Sequence, residues 1–286
     1  MNNTFSIKRF GMILRWNLLT NWRHYLNTTI GMAIGLIMIV FTSTGDATRM
    51  KEMGIERGLT DTDMIVWQLG YPLTFTAFIF CFVLAAYIFA NMGTKLQRET
   101  FMMLPGSNAE KYLCRLLFAT VGAAVQFALA VMVADAIQAL YALFMHPDFQ
   151  PSLTLAAFKS ISQNPLISIT WGNSKYADIV AYTVSSASVL LFSSSFAVLG
   201  GTLFRKQPAV ITGSIWLALI IGFGYTMGHM AMAGMLDHIP SLSINDLQLI
   251  VIATSTILTV IAAINYWLSY RIFCRMQVVC NKWINL

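Results

Sequence analysis

Charge is what this sequence has least of. Only 10% of its 286 residues are Asp, Glu, Lys or Arg, where a soluble domain carries roughly a quarter. A chain so poor in charge and 57% hydrophobic cannot clothe a globular surface in polar side chains, which excludes a water-soluble enzyme, and the same apolarity excludes disorder. Cysteine is scarce as well. Cys81, Cys114, Cys274 and Cys280 show no paired CxxC spacing, so neither a disulfide framework nor a zinc site is expected. There is no G-x-x-x-x-G-K-[ST] loop to cradle phosphates, no H-E-x-x-H segment, no Ser/His/Asp signature and no pair of carboxylates inside an apolar run, and without them neither ATP hydrolysis nor intramembrane catalysis has a site. The expectation is a chain that is not an enzyme, with no catalytic residue, no metal ligand and no cofactor of its own.

What the sequence does have is apolar length. Six runs stand between polar clusters, at 28–45, 67–91, 113–145, 177–204, 209–230 and 247–270, each near or above the ~20 residues that cross a bilayer as a helix. The expected fold class is all-α, a polytopic membrane protein with six transmembrane helices over residues 28–286. The run at 113–145 exceeds what a bilayer requires, so it is expected to tilt, kink or project. A polar, tryptophan-containing stretch precedes the first run and no small-residue cleavage site closes it, so the first span is expected to be a retained anchor.

The few charges divide unevenly. With both ends of the chain on one side, thirteen basic residues from Lys8 to Lys282 share that side with only Glu99 and Glu110; the opposite side holds five basic residues and nine acids. The positive-inside rule puts the basic side, and both termini, in the cytoplasm. The net charge of +6 is thereby explained by loops beside anionic lipid and gives no support to nucleic-acid binding.

Two segments on that side carry a pattern. In residues 1–27, Ile7, Phe10, Leu14 and Leu18 recur at three- and four-residue intervals, with Lys8, Arg15 and Arg23 elsewhere on the wheel and Trp16 and Trp22 suited to the headgroup belt. This predicts an amphipathic helix lying in the membrane interface, or a plain membrane-proximal anchor. In residues 92–112, Ser107 and Glu110 form an S-x-x-E capping box that starts a helix, and Pro105 ends whatever precedes it, leaving 96–104 as a short separate helix. Its Phe101, Met102, Met103 and Leu104 are four consecutive apolar side chains on the water side. They suit a docking knob for another protein, or a loop that folds back onto the protein's own helix ends.

The six-span plan, the N-terminal helix and the Leu104-Pro105-x-Ser107-x-x-Glu110-Lys111 segment together resemble the permease subunits of bacterial ABC-2-type transporters. The likeness covers nearly the whole chain in plan, while only 95–115 is motif-like. The resemblance implies that 92–112 holds a coupling helix seated in a cleft of a cytoplasmic ATPase subunit. Arg98, Glu99, Phe101, Met102, Met103 and Leu104 would be its residues, with Pro105, Ser107 and Glu110 shaping the turn into the third span. It further implies ATP and magnesium on that partner, a second permease copy or a homologous one, a place in the bacterial inner membrane, and export or extraction of an amphipathic peptide, lipid or polysaccharide. The sequence departs from the family pattern at 229–246, which is short for a re-entrant hairpin, and at the outer loop 146–176, which is long, with an amphipathic stretch at 153–161 and Trp171.

Within the runs, Asp135 is the one acid well inside a span and Gln138 shares its helix face. An intramembrane carboxylate is costly and so marks a substrate path or proton site, unless it sits at the outer headgroups as a structural group. Ser185, Ser188 and Ser195 belong to a small, polar fourth run and are either path-lining or packing residues. Gly31-x-x-x-Gly35 and Gly224-x-x-x-Gly228 permit close helix approach, and His229 and His238 lack metal-ligand spacing. Two other functions remain open: an ion-coupled secondary transporter or channel using Asp135, and a membrane scaffold that relays a signal to a cytoplasmic partner.

Overall fold

The computed structural model describes residues 5–52, 61–89, 92, 95–145, 152–155, 177–232 and 244–276. The elements in chain order are α1 (Ile7–Glu52), α2 (Asp61–Ala86), α3 (Lys95–Met102), α4 (Asn108–Leu117), a π-helical turn (Phe118–Gly122), α5 (Ala123–Met145), α6 (Ala177–Leu203), α7 (Pro208–Met232) and α8 (Ile244–Arg275). No strand occurs among the described residues. The runs at 28–45, 209–230 and 247–270 lie within α1, α7 and α8; the run at 67–91 is helical to Ala86, with 90 and 91 outside the described residues, that at 113–145 extends over α4, the π-helical turn and α5, and that at 177–204 is helical to Leu203.

The N-terminal stretch and the first run are one helix of 46 residues, about 69 Å long at 1.5 Å per residue. The first proline is Pro72, so nothing in α1 removes a backbone donor. The hydroxyls of Thr28 and Thr29 donate back to the carbonyls of His24 and Tyr25, which keeps these polar residues within an apolar helix. The long third run, 113–145, lies in a helical stretch that is continuous from Asn108 to Met145 through the π-helical turn, where the Thr120 hydroxyl donates to the Leu116 carbonyl at 2.8 Å.

The chain forms two compact units. One draws on Met1–Ile13, Phe82–Thr120 and Asn173–Leu286, the other on Leu14–Cys81 and Val121–Gly172. In the first, α8 packs along α6, and α6 along α7. The seam between α6 and α8 is small and polar: Ser188, Ser195 and Thr202 recur every seven residues on α6, Ser255, Ala262 and Ser269 on α8, and all six are buried. The hydroxyls of Ser188, Ser195, Thr202 and Ser255 donate to carbonyls of their own helix. Asn265 Nδ2 crosses the seam to Ser195 Oγ at 3.2 Å, and Ser194 pairs with the Tyr266 hydroxyl at 2.9 Å. Two glycines set the closest approaches. A methyl group on Gly200 would strike Thr212 of α7, and one on Gly201 would strike the Ala86 carbonyl at the end of α2. Gly31, Gly35, Gly224 and Gly228 are different: an added side chain at any of them meets nothing within 4 Å. The expected close approach is therefore made within this chain at Gly200 and Gly201, outside both GxxxG patterns.

The second unit has an apolar core of Met32, Ala33, Leu36 and Val40 from α1, Leu73 from α2, Phe127, Ala130, Val131 and Ala134 from α5, and Leu153. The three- and four-residue spacing on α1 and α5 puts these side chains on one face. The opposite faces are apolar too, with Ile34, Met38, Leu129, Met132 and Leu140 exposed. Helices apolar all round need an apolar solvent.

Among the described residues, four helical stretches are long and apolar enough to cross a membrane: Ile7–Thr42, Asn108–Met145, Pro208–Thr226 and Leu249–Arg275. Phe75–Ala86 and Ala187–Leu203 are shorter apolar stretches among the described residues.

Candidate functional site

The segment that joins α2 to α4 is the most elaborately tied part of the first unit. Its α3 is only eight residues long, too short to persist on propensity alone, so its stability comes from what it touches. Arg98 and Phe101, three residues apart, face inward and are 4% and 1% exposed. Phe101 meets Phe273 of α8 edge-on at 6.5 Å, and the Arg115 guanidinium sits 4.6 Å from the centre of its ring. Phe273 in turn stacks on Phe89 at 5.2 Å and contacts Tyr112 at 5.8 Å. Arg98 Nε donates to the Met92 carbonyl at 3.1 Å, and Lys111 Nζ donates to the Met102 carbonyl at 2.7 Å, so cations cap both ends of the segment.

The capping box is present. Ser107 is the N-cap of α4; its Oγ accepts from the Glu110 amide at 3.3 Å and its own amide donates to Glu110 Oε2 at 3.0 Å. The other carboxylate oxygen, Oε1, accepts the Ser6 amide at 2.7 Å and Arg9 Nη2 at 3.1 Å. One fully buried carboxylate thus serves two helix starts, those of α1 and α4. Charge-assisted bonds of this kind are roughly twice as strong as neutral ones, and the positive end of each helix adds to them. Tyr112 completes the attachment: its hydroxyl donates to Ser269 Oγ at 3.1 Å, within a ring contact to Tyr270 at 5.4 Å.

This geometry divides the residues expected to form a docking knob. Phe101 and Arg98 point into the protein, as a loop folding back on its own helices would have them. Met102 and Leu104 are half-buried, and Glu99 forms an i,i+4 ion pair with Lys95 at 3.9 Å. Pro105 is exposed in the turn. The outward apolar side chains are Met103, 81% exposed, and Leu96, 73% exposed. They lie seven residues apart, which is two helical turns, with exposed Thr100 between them. Leu96 was visible in the sequence only as the start of the short helix. Ser6 and Arg9, the remote partners of Glu110, carried no local signal.

The candidates inside the apolar runs fall into separate places. Asp135 and Gln138 belong to α5 in the second unit. The Asp135 carboxylate accepts the amides of Leu153 at 2.7 Å and Thr154 at 3.2 Å, and the Thr154 hydroxyl as well. It is therefore engaged as the cap of a short turn. Gln138 is 1% exposed. Ser188 and Ser195 are buried in the α6–α8 seam; Ser185, half-buried, supplies the carbonyl that Ser188 bonds.

No group of three or more His, Cys, Asp or Glu side chains that could hold a metal ion occurs among the described residues. Cys81, Cys114 and Cys274 are free thiols, and His229 pairs with the Tyr225 hydroxyl at 3.0 Å. Cys280, His238 and most of the outer loop 146–176, Trp171 included, lie outside the described residues.

Helical architecture and, among the described residues, four stretches able to cross a membrane fit a membrane protein. No protein-family model, curated protein or solved structure matches the chain.

Proposed function

We propose that this chain is the membrane subunit of an ABC transporter of the ABC-2 type, driven by separate cytoplasmic ATPase subunits. The observation that carries the reading is the two-faced build of α3. A helix of eight residues is pinned on one side by Phe101, Arg98 and the Glu110 clamp, while Leu96 within it and Met103 just past its end are exposed. A rigid apolar pair on the water side of a membrane has no use in lipid; it suits the cleft of a partner that pushes. The charge distribution supports a cytoplasmic position for this segment and for both termini in a bacterial inner membrane, with six spans formed by α1, α2, α4 to α5, α6, α7 and α8. Two such subunits, or this one with a homologue, would line the path. ATP and magnesium would act on the partner, and closure of its subunits would favour one membrane arrangement over another. The substrate class follows from the resemblance: an amphipathic peptide, lipid or polysaccharide, exported or extracted.

The test is purification of the tagged chain from its native membrane, with ATP hydrolysis measured in vesicles. The expected result is an ATPase whose rate depends on this chain and falls on Met103→Asp or Leu96→Asp while thermal unfolding of the chain is unchanged. Absence of an ATP-hydrolysing subunit, or hydrolysis indifferent to both substitutions, would sink the proposal.

A further inference from the structure

We propose that the outward face of α8 around Trp267, Arg271 and Arg275 binds the phosphate headgroup of an anionic membrane lipid. The three residues recur every four positions, so they share one slowly turning face of the helix. That face points away from the protein: Trp267, Arg271 and Arg275 are exposed, while Ala262, Ser269 and Phe273 on the opposite side are buried. Phe273 packs on Phe89 and Phe101, and Ser269 accepts the Tyr112 hydroxyl, contacts that fix the rotation of α8 about its own axis. Neither cation is spent inside the protein. Among the described residues neither Arg271 nor Arg275 has a carboxylate partner, and no Asp or Glu follows Asp246 in the sequence.

The geometry of Arg271 suits an anion. Its Cζ lies 4.6 Å from the centre of the Trp267 ring, so the guanidinium reaches back one turn toward the apolar length of the helix, the direction in which helical side chains lean. The ring covers one face of the guanidinium and leaves the N–H edge open, the edge that pairs with two oxygens of a phosphate. Stacking also restricts the side chain before any ligand arrives, which lowers the entropy lost on binding. What adjoins this edge identifies the occupant. Before Trp267 the same face carries Ile257, Val260 and Ile264, all exposed, in a stretch long and apolar enough to cross a membrane. An acyl chain fits along those side chains, an indole ring suits the headgroup boundary, and cations just beyond it meet phosphate. A soluble anion has no use for the apolar part. The inference rests on the membrane character of the chain and stands independently of the proposed partner of α3.

The test uses the full chain with every tryptophan but Trp267 replaced by phenylalanine, reconstituted in phosphatidylcholine that contains a small fraction of brominated phosphatidylglycerol or of brominated phosphatidylcholine. Bromine quenches the indole only when its lipid is adjacent. The expected result is a preference for phosphatidylglycerol of about fivefold or more, the order a single surface cation beside an anionic headgroup supplies. Arg271→Gln with Arg275→Gln brings the two lipids to parity, Arg271→Lys gives an intermediate preference, and millimolar inorganic phosphate leaves the quenching unchanged. Arg275 in the last turn also faces the helix's own carbonyl end, which favours any cation; a purely structural role there lowers the unfolding temperature and leaves the lipid preference intact. Parity in the parent, a preference that survives both substitutions, or displacement by inorganic phosphate overturns the proposal. If the single-tryptophan chain does not fold, the chain with all its tryptophans is purified in uncharged detergent after incubation with phosphatidylglycerol, and retained lipid is counted by mass spectrometry. The Arg271→Gln, Arg275→Gln chain then retains fewer molecules than the parent, and an equal count overturns the proposal.

Discussion

Glu110 Oε1 accepts the backbone amide of Ser6 at 2.7 Å, joining two positions 104 residues apart in the chain. Since Oε2 of the same carboxylate holds the Ser107 amide at 3.0 Å, the start of α1 and the start of α4 share one anion. Glu110→Ala removes the buried carboxylate that accepts the Ser6 and Ser107 amides and the Arg9 guanidinium, and is expected to cost about 3 kcal/mol. Glu110→Gln keeps the shape and loses the charge, and should cost less. Thermal unfolding in detergent checks the order. An alanine variant as stable as the parent would show that the clamp does not hold α1 to α4.

Phe101 and Met103 are two residues apart and face opposite ways. Phe101→Ala empties a site lined by Phe273 and Arg115 and is expected to destabilise by about 3 kcal/mol, whereas Met103→Ala stays within about 0.5 kcal/mol of the parent. Unfolding midpoints of the two variants, measured side by side, decide the orientation of α3. Equal losses would contradict it.

Gly201→Ala forces a methyl group against the Ala86 carbonyl, and Gly200→Ala forces one against Thr212. Backbone cannot yield as a flexible side chain can, so the first is expected to be the more damaging, at about 2 kcal/mol or more. Gly31→Ala and Gly35→Ala meet open space and gain up to about 1 kcal/mol each from helix propensity. The sign of the change in unfolding temperature separates the two pairs of glycines.

Asn265→Leu removes the bond across the α6–α8 seam to Ser195. Hydrogen bonds between helices in membranes average about 0.6 kcal/mol, and the bulkier leucine is set against a seam of serine and alanine. A loss of about 1–2 kcal/mol is expected, visible as a lowered midpoint in sodium dodecyl sulfate titration. No change would mean that the seam is loosely packed at this level.

Much of the architecture was legible because it is encoded locally. A run of apolar residues of bilayer length makes a helix wherever it is folded, and most of each of the six runs is helical. The capping box needs only residues three apart, and it formed as its pattern implied. The direction of the Phe101-to-Leu104 side chains was not legible. Four consecutive apolar residues have no period, and successive side chains on a helix point about 100° apart. Which of them turns inward is set by Phe273, in another part of the sequence. The GxxxG patterns illustrate the converse: they allow close approach without supplying a partner, and within this chain the partners stand at Thr212 and Ala86.

Composition alone determined that the chain is helical and suited to a membrane, because apolar length and scarce charge constrain any backbone in the same way. Tertiary structure decided the fate of individual polar groups: Glu110 bound to Ser6, Asp135 bound to Leu153 and Thr154, Gln138 left without a partner. A carboxylate in an apolar chain must find donors, and nothing in the residues around it says where they are. Only folding brings remote backbone amides within 3 Å or so, and at that range they decide whether the acid is an anchor or a reactive group.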